Sequence, residues 1–307
     1  MSTSLQRHWL GVLSWLLLAV TLAVTVPARA KDDAPPLPFH TIEGYGGGAI
    51  TPLAYLVDPK PVHGVFGAPA FAVSVVGLGQ KNLDALTASE TLFGRLELSV
   101  AADRLGLGTL PAAIRTATTV DIGKSDVWLY HLNARYLLVP EGKNIPAITV
   151  GVHFKHNNDI EEIDSSLGGA LTKIGLKSGS GTDATLTATK AFPNVGGHLF
   201  IATAGLRESK AADLGFLGFG DSYKTSVEGN LIYLPADHLL LAYEIRQKSS
   251  PLGQIPGLIG GEDTWHAVDA SYILNNQSTL VAGYGHFGNL ANADANNAWW
   301  VQFKDEF

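Results

Sequence analysis

Eleven ionisable residues stand out by type and spacing: Arg95, Glu97, His131, Arg135, His153, Lys155, Arg207, Glu228, Glu244, Arg246 and Asp269. Most occupy every second position among apolar or aromatic neighbours, and acids nearly balance bases. Charges sharing one interior either pair into a ladder that fills it or line a water path that selects ions. These residues are therefore expected to line a lumen. Ser99, Ser226 and Ser271 fall on the same face, and no G-x-S-x-G elbow occurs. A serine–histidine lipid enzyme, which would need them on the opposite, lipid-facing surface, is the weakest of three functional readings.

Two other constellations invite chemistry. Gly46-Gly47-Gly48 has the flexibility of a phosphate loop but lacks the following Lys-Ser/Thr, and Pro52 interrupts any helix after it. Glycines here suit a backbone passing close to another backbone, as in a segment tucked inside or beneath a barrel. His153 and His156 precede Asp159, Glu161, Glu162 and Asp164. Carboxylates without fixed ligand spacing read as a solvated loop, so no metal and no cofactor is expected.

The elements that must position these side chains read as strands. Period-two alternation runs through Phe71–Gly79, Leu83–Leu92, Arg95–Asp103, Asp126–Leu138, Ala147–Lys155 and Asp183–Ala191. It continues in His198–Arg207, Tyr223–Leu234, His238–Lys248, Thr264–Leu274, Ser278–Phe287 and Asn297–Phe307. The segments have the length a tilted strand needs to cross a bilayer, ~9–11 residues. Short turns such as Phe93-Gly94 and Pro235–Asp237 alternate with long connections: Arg104–Ser125, His156–Thr182, Glu208–Ser222, Ser249–Asp263 and Gly288–Ala295. Trp128, Tyr223, Trp265 and Trp299 fall at one end of the strands, Tyr136, Tyr233, Tyr272 and Phe307 at the other, as in two interfacial girdles. The expected fold is all-β: a transmembrane antiparallel up-and-down barrel of about 12 strands, with short periplasmic turns and long extracellular loops.

The front of the chain fits export. Trp9–Val26 is a nearly unbroken apolar run, followed by Pro27-Ala28-Arg29-Ala30 and then charged Lys31-Asp32-Asp33. This predicts a cleaved signal peptide over 1–30, a Pro/Gly-rich periplasmic segment over 31–70 and a barrel over 71–307. The leader removes two of 21 basic residues and none of 28 acids, taking the net charge from −7 to −9. An acidic chain without a basic block argues against nucleic acid. With no cysteine, no disulfide contributes, and strand closure in lipid must supply the stability.

Ile42–Ala54 (IEGYGGGAITPLA), Gly94–Ser99, Gly151–Lys155, Ser180–Lys190, Gly215–Asp221, Glu244–Lys248 and the final WWVQFKDEF resemble, in order, a family of proteobacterial outer-membrane proteins known only as a domain of unknown function. The resemblance implies a Gram-negative outer-membrane location and a barrel, and brings no catalytic residue with it. Trp299, Val301, Phe303 and Phe307 resemble the closing strand of such barrels, read there as the assembly signal. Expected partners are outer-membrane lipid and lipopolysaccharide, the barrel-assembly machinery and a small polar solute. A channel or transporter for such solutes is the leading functional expectation. A non-conducting structural or accessory barrel in envelope or polysaccharide export is the alternative, and a lipid-modifying enzyme the third.

Overall fold

The computed structural model describes residues 39–59 and 64–307. The expected signal peptide and the 31–38 linker lie outside the described residues. Two short strands, β1 (Phe39–His40) and β2 (Gly46–Gly47), pair with each other. Next come β3 (Ala70–Leu78), β4 (Lys81–Leu92), β5 (Leu96–Gly106), β6 (Asp126–Val139), β7 (Ala147–Asn157) and β8 (Ser180–Val195). The chain continues with β9 (His198–Ala211), β10 (Phe219–Ala236), β11 (Leu239–Arg246), β12 (Trp265–Ile273) and β13 (Ser278–His286). A small pair, β14 (Asn289–Leu290) and β15 (Ala293–Asp294), precedes β16 (Ala298–Glu306). The strands β3 to β13 and β16 form one closed antiparallel barrel, with β16 joining β13 to β3. Closure leaves no unpaired edge in this sheet.

Alternation sets the two faces. Leu98, Val100, Leu132, Val152, Phe154, Leu186, Leu206, Val227, Leu231 and Val268 are exposed on the outside, an apolar belt of the kind that water-soluble proteins avoid. Their sequence neighbours Glu97, Ser99, His131, Asn133, His153, Thr185, Arg207 and Glu228 are buried inside. Phe71 meets Phe307 edge-on across the closing seam, with ring centroids 5.5 Å apart. Phe303 is covered by its neighbours, whereas Trp299 remains exposed.

The first outer turn is short, as the spacing of the first two strand segments implies: it is only Gly79-Gln80, both hairpin strands being fully paired. The connections depart from expectation in one place. Glu208–Ser222 is mostly strand: β9 runs to Ala211, β10 starts at Phe219, and residues 212–218 alone connect them. Ladder pairing continues there beyond the belt because the polar flanks can hydrogen-bond each other at no desolvation cost.

The remaining long connections fold inward. Helices Leu110–Thr118, Ile160–Ser166 and Ala170–Lys173 bury Leu110, Ile114, Ile160, Ile163 and Leu171. These join Leu78, Leu105, Val127, Leu129, Leu214, Phe216 and Trp300 in one apolar core that roofs the barrel at its loop end. Trp265 belongs to this core, which corrects its placement in an outer girdle. Its ring lies inside the mouth against Phe287 at 4.9 Å, because it shares the parity of inward-facing Ala267 and Asp269.

Candidate functional site

Residues 39–58 run through the lumen, and residues 39–54 are buried without exception. A chain segment inside a barrel must find partners for every backbone amide and carbonyl. It finds some in its own β1–β2 pair and most of the rest in the wall. Asn133 Nδ2 donates to Glu43 O at 2.8 Å, Gln302 Nε2 to His40 O at 2.8 Å, and Thr149 Oγ1 to Ala54 O at 2.5 Å. The Ala54 amide donates to Thr189 Oγ1 at 2.7 Å. His40 is held between the Thr87 and Ser89 hydroxyls, each at 2.7 Å.

Two carboxylates fix the segment at two points, Glu43 and the turn at residues 49–51. Glu43, carried by the segment, meets three wall cations: Lys155 at 2.5 Å, Arg246 at 2.5 Å and Arg207 at 3.6 Å. Asp183 pairs with Lys155 at 2.7 Å and with Arg207 at 3.2 Å, and Glu228 with Arg207 at 3.0 Å. Three acids thus face three bases in a buried, balanced cluster. Tyr45 completes it: its hydroxyl donates to Glu43 at 2.6 Å and accepts from Arg207 at 2.6 Å. Its ring lies 4.5 Å from that of His153.

The second carboxylate belongs to the wall. Glu244 on β11 accepts the amides of Ala49 at 2.7 Å and Thr51 at 2.9 Å, a longer contact from Ile50, and the Thr51 hydroxyl. Successive amides converging on one anion form a nest. The glycine run makes it possible: a Cβ on Gly48 would collide with the Glu244 carboxylate, and one on Gly47 with Thr51 O. Glu97 plays a similar part lower down, accepting from Gly46 N and Val57 N while pairing with Arg135 at 3.1 Å. Arg135 in turn donates to Gly46 O at 2.7 Å and to Leu53 O.

Of the eleven candidates, Glu97, His131, Arg135, His153, Lys155, Arg207, Glu228, Glu244, Arg246 and Asp269 are buried inside the barrel. Arg95 is not among them. It is exposed in the turn before β5, because Phe93 and Gly94 adopt left-handed conformations and the strand starts only at Leu96. His131 pairs with Asp103 at 3.0 Å, apart from the main cluster, and Asp269 lies beside Glu244. Sequence reasoning missed Glu43, Tyr45 and Asp183. An acid and a tyrosine flanking a glycine run that is otherwise apolar is the available signal. The histidines of β7 and the acids after it do not converge. His153 points inward to Asn133 and Thr185, His156 meets Ser180, Asp159 binds Lys124, and Asp164 caps the Ala170–Lys173 helix.

Above the segment lies the apolar roof, and it encloses two small cavities of about 40 and 50 Å³. Asp213, in the 212–218 connection, stands at the wall of the first. It is buried, and burial followed by the nearby Glu262 carboxylate pushes its pKa up to about 8. Lys248 and Glu262 pair at 3.0 Å, with the ammonium 5.1 Å over the Trp265 ring.

The model of a family described as "Protein of unknown function (DUF3034)" matches residues 38–304. No curated protein matches the chain. Among solved structures, the KdgM porin aligns at 10% identity over 78% of this chain and 99% of its own, with a TM-score of 0.47. The NanC porin aligns at 10% over 78% and 99%, with a TM-score of 0.44. The COG4313 outer membrane channel from Pseudomonas putida F1 aligns at 12% over 84% and 100%, with a TM-score of 0.43. At such identities the solutes of those proteins do not transfer to this chain.

Proposed function

The chain belongs to the family described as a protein of unknown function, DUF3034, and we propose that it is an outer-membrane channel held shut by its own residues 39–58. The observation that carries this reading is the buried segment bound at two points, by Glu43 to three wall cations and by Glu244 to three of its amides. The apolar belt supports a lipid setting, because exposed Leu, Val and Phe on every second residue suit hydrocarbon and not water. The loop end, with its helices, would face outwards, and the end bearing Ala70 and Glu306 the periplasm. Solutes pass in this reading only when the segment leaves, and the charged wall it uncovers suits small polar ones.

The test is conductance of the purified protein in planar bilayers, intact and with residues 39–58 deleted. The intact protein should hold the membrane nearly silent and the deletion should conduct in discrete steps. A steady open pore from the intact protein would overturn the reading. A second reading, a non-conducting accessory barrel, is favoured by the apolar roof, which caps the lumen with loop and helix residues in addition to the segment's Ile42, Ala49 and Ile50. It is the outcome if the deletion variant folds, by heat-modifiable gel mobility, and stays silent.

A further inference from the structure

We propose that the roof of the barrel is a two-chamber binding site for a small, uncharged, mostly hydrocarbon molecule carrying one hydrogen-bond acceptor, with Phe216 as the partition. The inner chamber, about 40 Å³, is bounded below by Ile42 and Ile50 of the lumen segment and at the sides by Leu78, Trp265, Phe287 and Trp300. The outer one, about 50 Å³, lies among the inward-folded helices. Phe216 lines both. Each has room for more than one water but almost no polar partner to hold it, and cavities of that kind stay dry and accept apolar molecules.

Three further observations point to a ligand. The indole Nε1 of Trp300 is buried without a hydrogen-bond partner among the described residues, although tryptophan N–H groups are ordinarily satisfied when buried. An acceptor on a bound molecule would satisfy it. Phe216 is carried on a connection whose Asp213 and Leu214 have φ of 46° and 64°, left-handed values that cost energy for residues with a Cβ. Strain of that kind persists where the backbone has a positional task, and here it seats Phe216 between the chambers. Finally, a ring needs a cavity of about 150 Å³, more than the two chambers hold together, so a ring is admitted only where the Phe216 side chain leaves the partition and gives up its own volume. Among the described residues, Asp213 is the one ionisable group lining the inner chamber. Burial favours its neutral form, which leaves no fixed charge there to compensate a charged ligand.

The side from which a ligand arrives rests on the membrane reading above; binding itself does not. The test is therefore calorimetry with the full mature chain in detergent, using phenol and benzene as probes and protein-free micelles as the blank. Both should bind saturably. Phe216→Ala, which joins the chambers permanently, should tighten both. Trp300→Phe, which removes the N–H, should weaken phenol by about three- to tenfold and leave benzene unchanged. Absence of saturable binding to Phe216→Ala overturns the site. Binding that neither substitution alters places the probe elsewhere and overturns the site equally. Equal weakening of both probes by Trp300→Phe overturns the acceptor requirement. A silent deletion variant in bilayers would sink the channel reading without touching any of these results.

Discussion

Replacing Glu244 with alanine should free the central turn of the lumen segment while leaving the barrel intact. The side chain accepts two well-formed amide hydrogen bonds, at 2.7 and 2.9 Å, a weaker one from Ile50 and the Thr51 hydroxyl. Hydrogen bonds to a charged acceptor contribute about 1.5–3 kcal/mol each, and donors left orphaned in the interior add their own desolvation cost. Water entering the space vacated by the carboxylate restores part of this. The net loss in local docking is then about 4 kcal/mol, which is roughly a thousandfold rise in the open population. The loss is local because Glu43 still holds the chain before the turn and Glu97, Thr149 and Thr189 the chain after it, and the β10–β11–β12 ladders use backbone groups that alanine retains. Hydrogen exchange read by mass spectrometry should therefore accelerate about a thousandfold over residues 46–52 and stay unchanged in β10 to β12. Brief openings should appear in bilayer recordings. Glu244→Gln, keeping one carbonyl oxygen, should fall between the two. If exchange at 46–52 is unaltered, the nest does not hold the segment; if the whole barrel accelerates together, segment and barrel are one cooperative unit and the gating argument fails.

Arginine on the outer face should cost stability according to depth. Leu186→Arg, mid-way along β8 between Val150 and Leu206, should lose ~2–4 kcal/mol in folding titrations, and Leu241→Arg, near the lower end of β11 and opposite Tyr233, only about 1. Equal costs would place the bilayer elsewhere. Deleting Phe307 removes both its ring contact with Phe71 and its amide bond to Pro69 O at 3.0 Å, so heat-modifiable gels should show less folded protein at unchanged synthesis. Undiminished folded yield would refute a role for the seam. Asp213→Asn tests burial at the roof. With its pKa at about 8 when folded and near 3.8 when unfolded, Asp213 binds more protons folded, so its contribution to stability is greatest below pH 4 and declines until pH 8. The asparagine variant, which tolerates the left-handed backbone, should match the parent near pH 4 and exceed it by several degrees in melting temperature at pH 9. A pH-independent difference would refute the burial argument.

The exterior of this barrel is legible in one sequence because its rule is local. A period of two, turn residues and strand lengths are all contained within a dozen neighbouring positions. Hence all twelve strands and their order follow from alternation, and ten of the eleven charged candidates lie inside. The failures are also local. Arg95 continues the alternating pattern on paper, but Phe93-Gly94 turns the backbone first and the strand begins one residue later. Trp265 reads as a girdle aromatic from its place at a strand end, although its parity with Ala267 and Asp269 already points it inward. Loops around residue 215 read as long because polar composition marks the end of the belt, and pairing in β9 and β10 outruns the belt.

The interior obeys a different rule. Gly46-Gly47-Gly48 lets the chain do what a phosphate loop does, turning the next three amides, of Ala49, Ile50 and Thr51, toward an anion, but the anion is Glu244, 195 positions away from the first of them. Nothing in the spacing around residue 46 names that partner, and nothing around residue 244 asks for one. Their pairing is created by the barrel, which brings β11 to the level where the segment turns. The same holds for Glu43, whose three cations come from β7, β9 and β11. A buried charge is tolerable only when its partners are in place, so these residues acquire a reason only after the wall has closed. It follows that the segment should dock late in folding, after the ladders, because Glu43 on the segment and Glu97 and Glu244 on the wall meet their partners only when segment and closed wall come together.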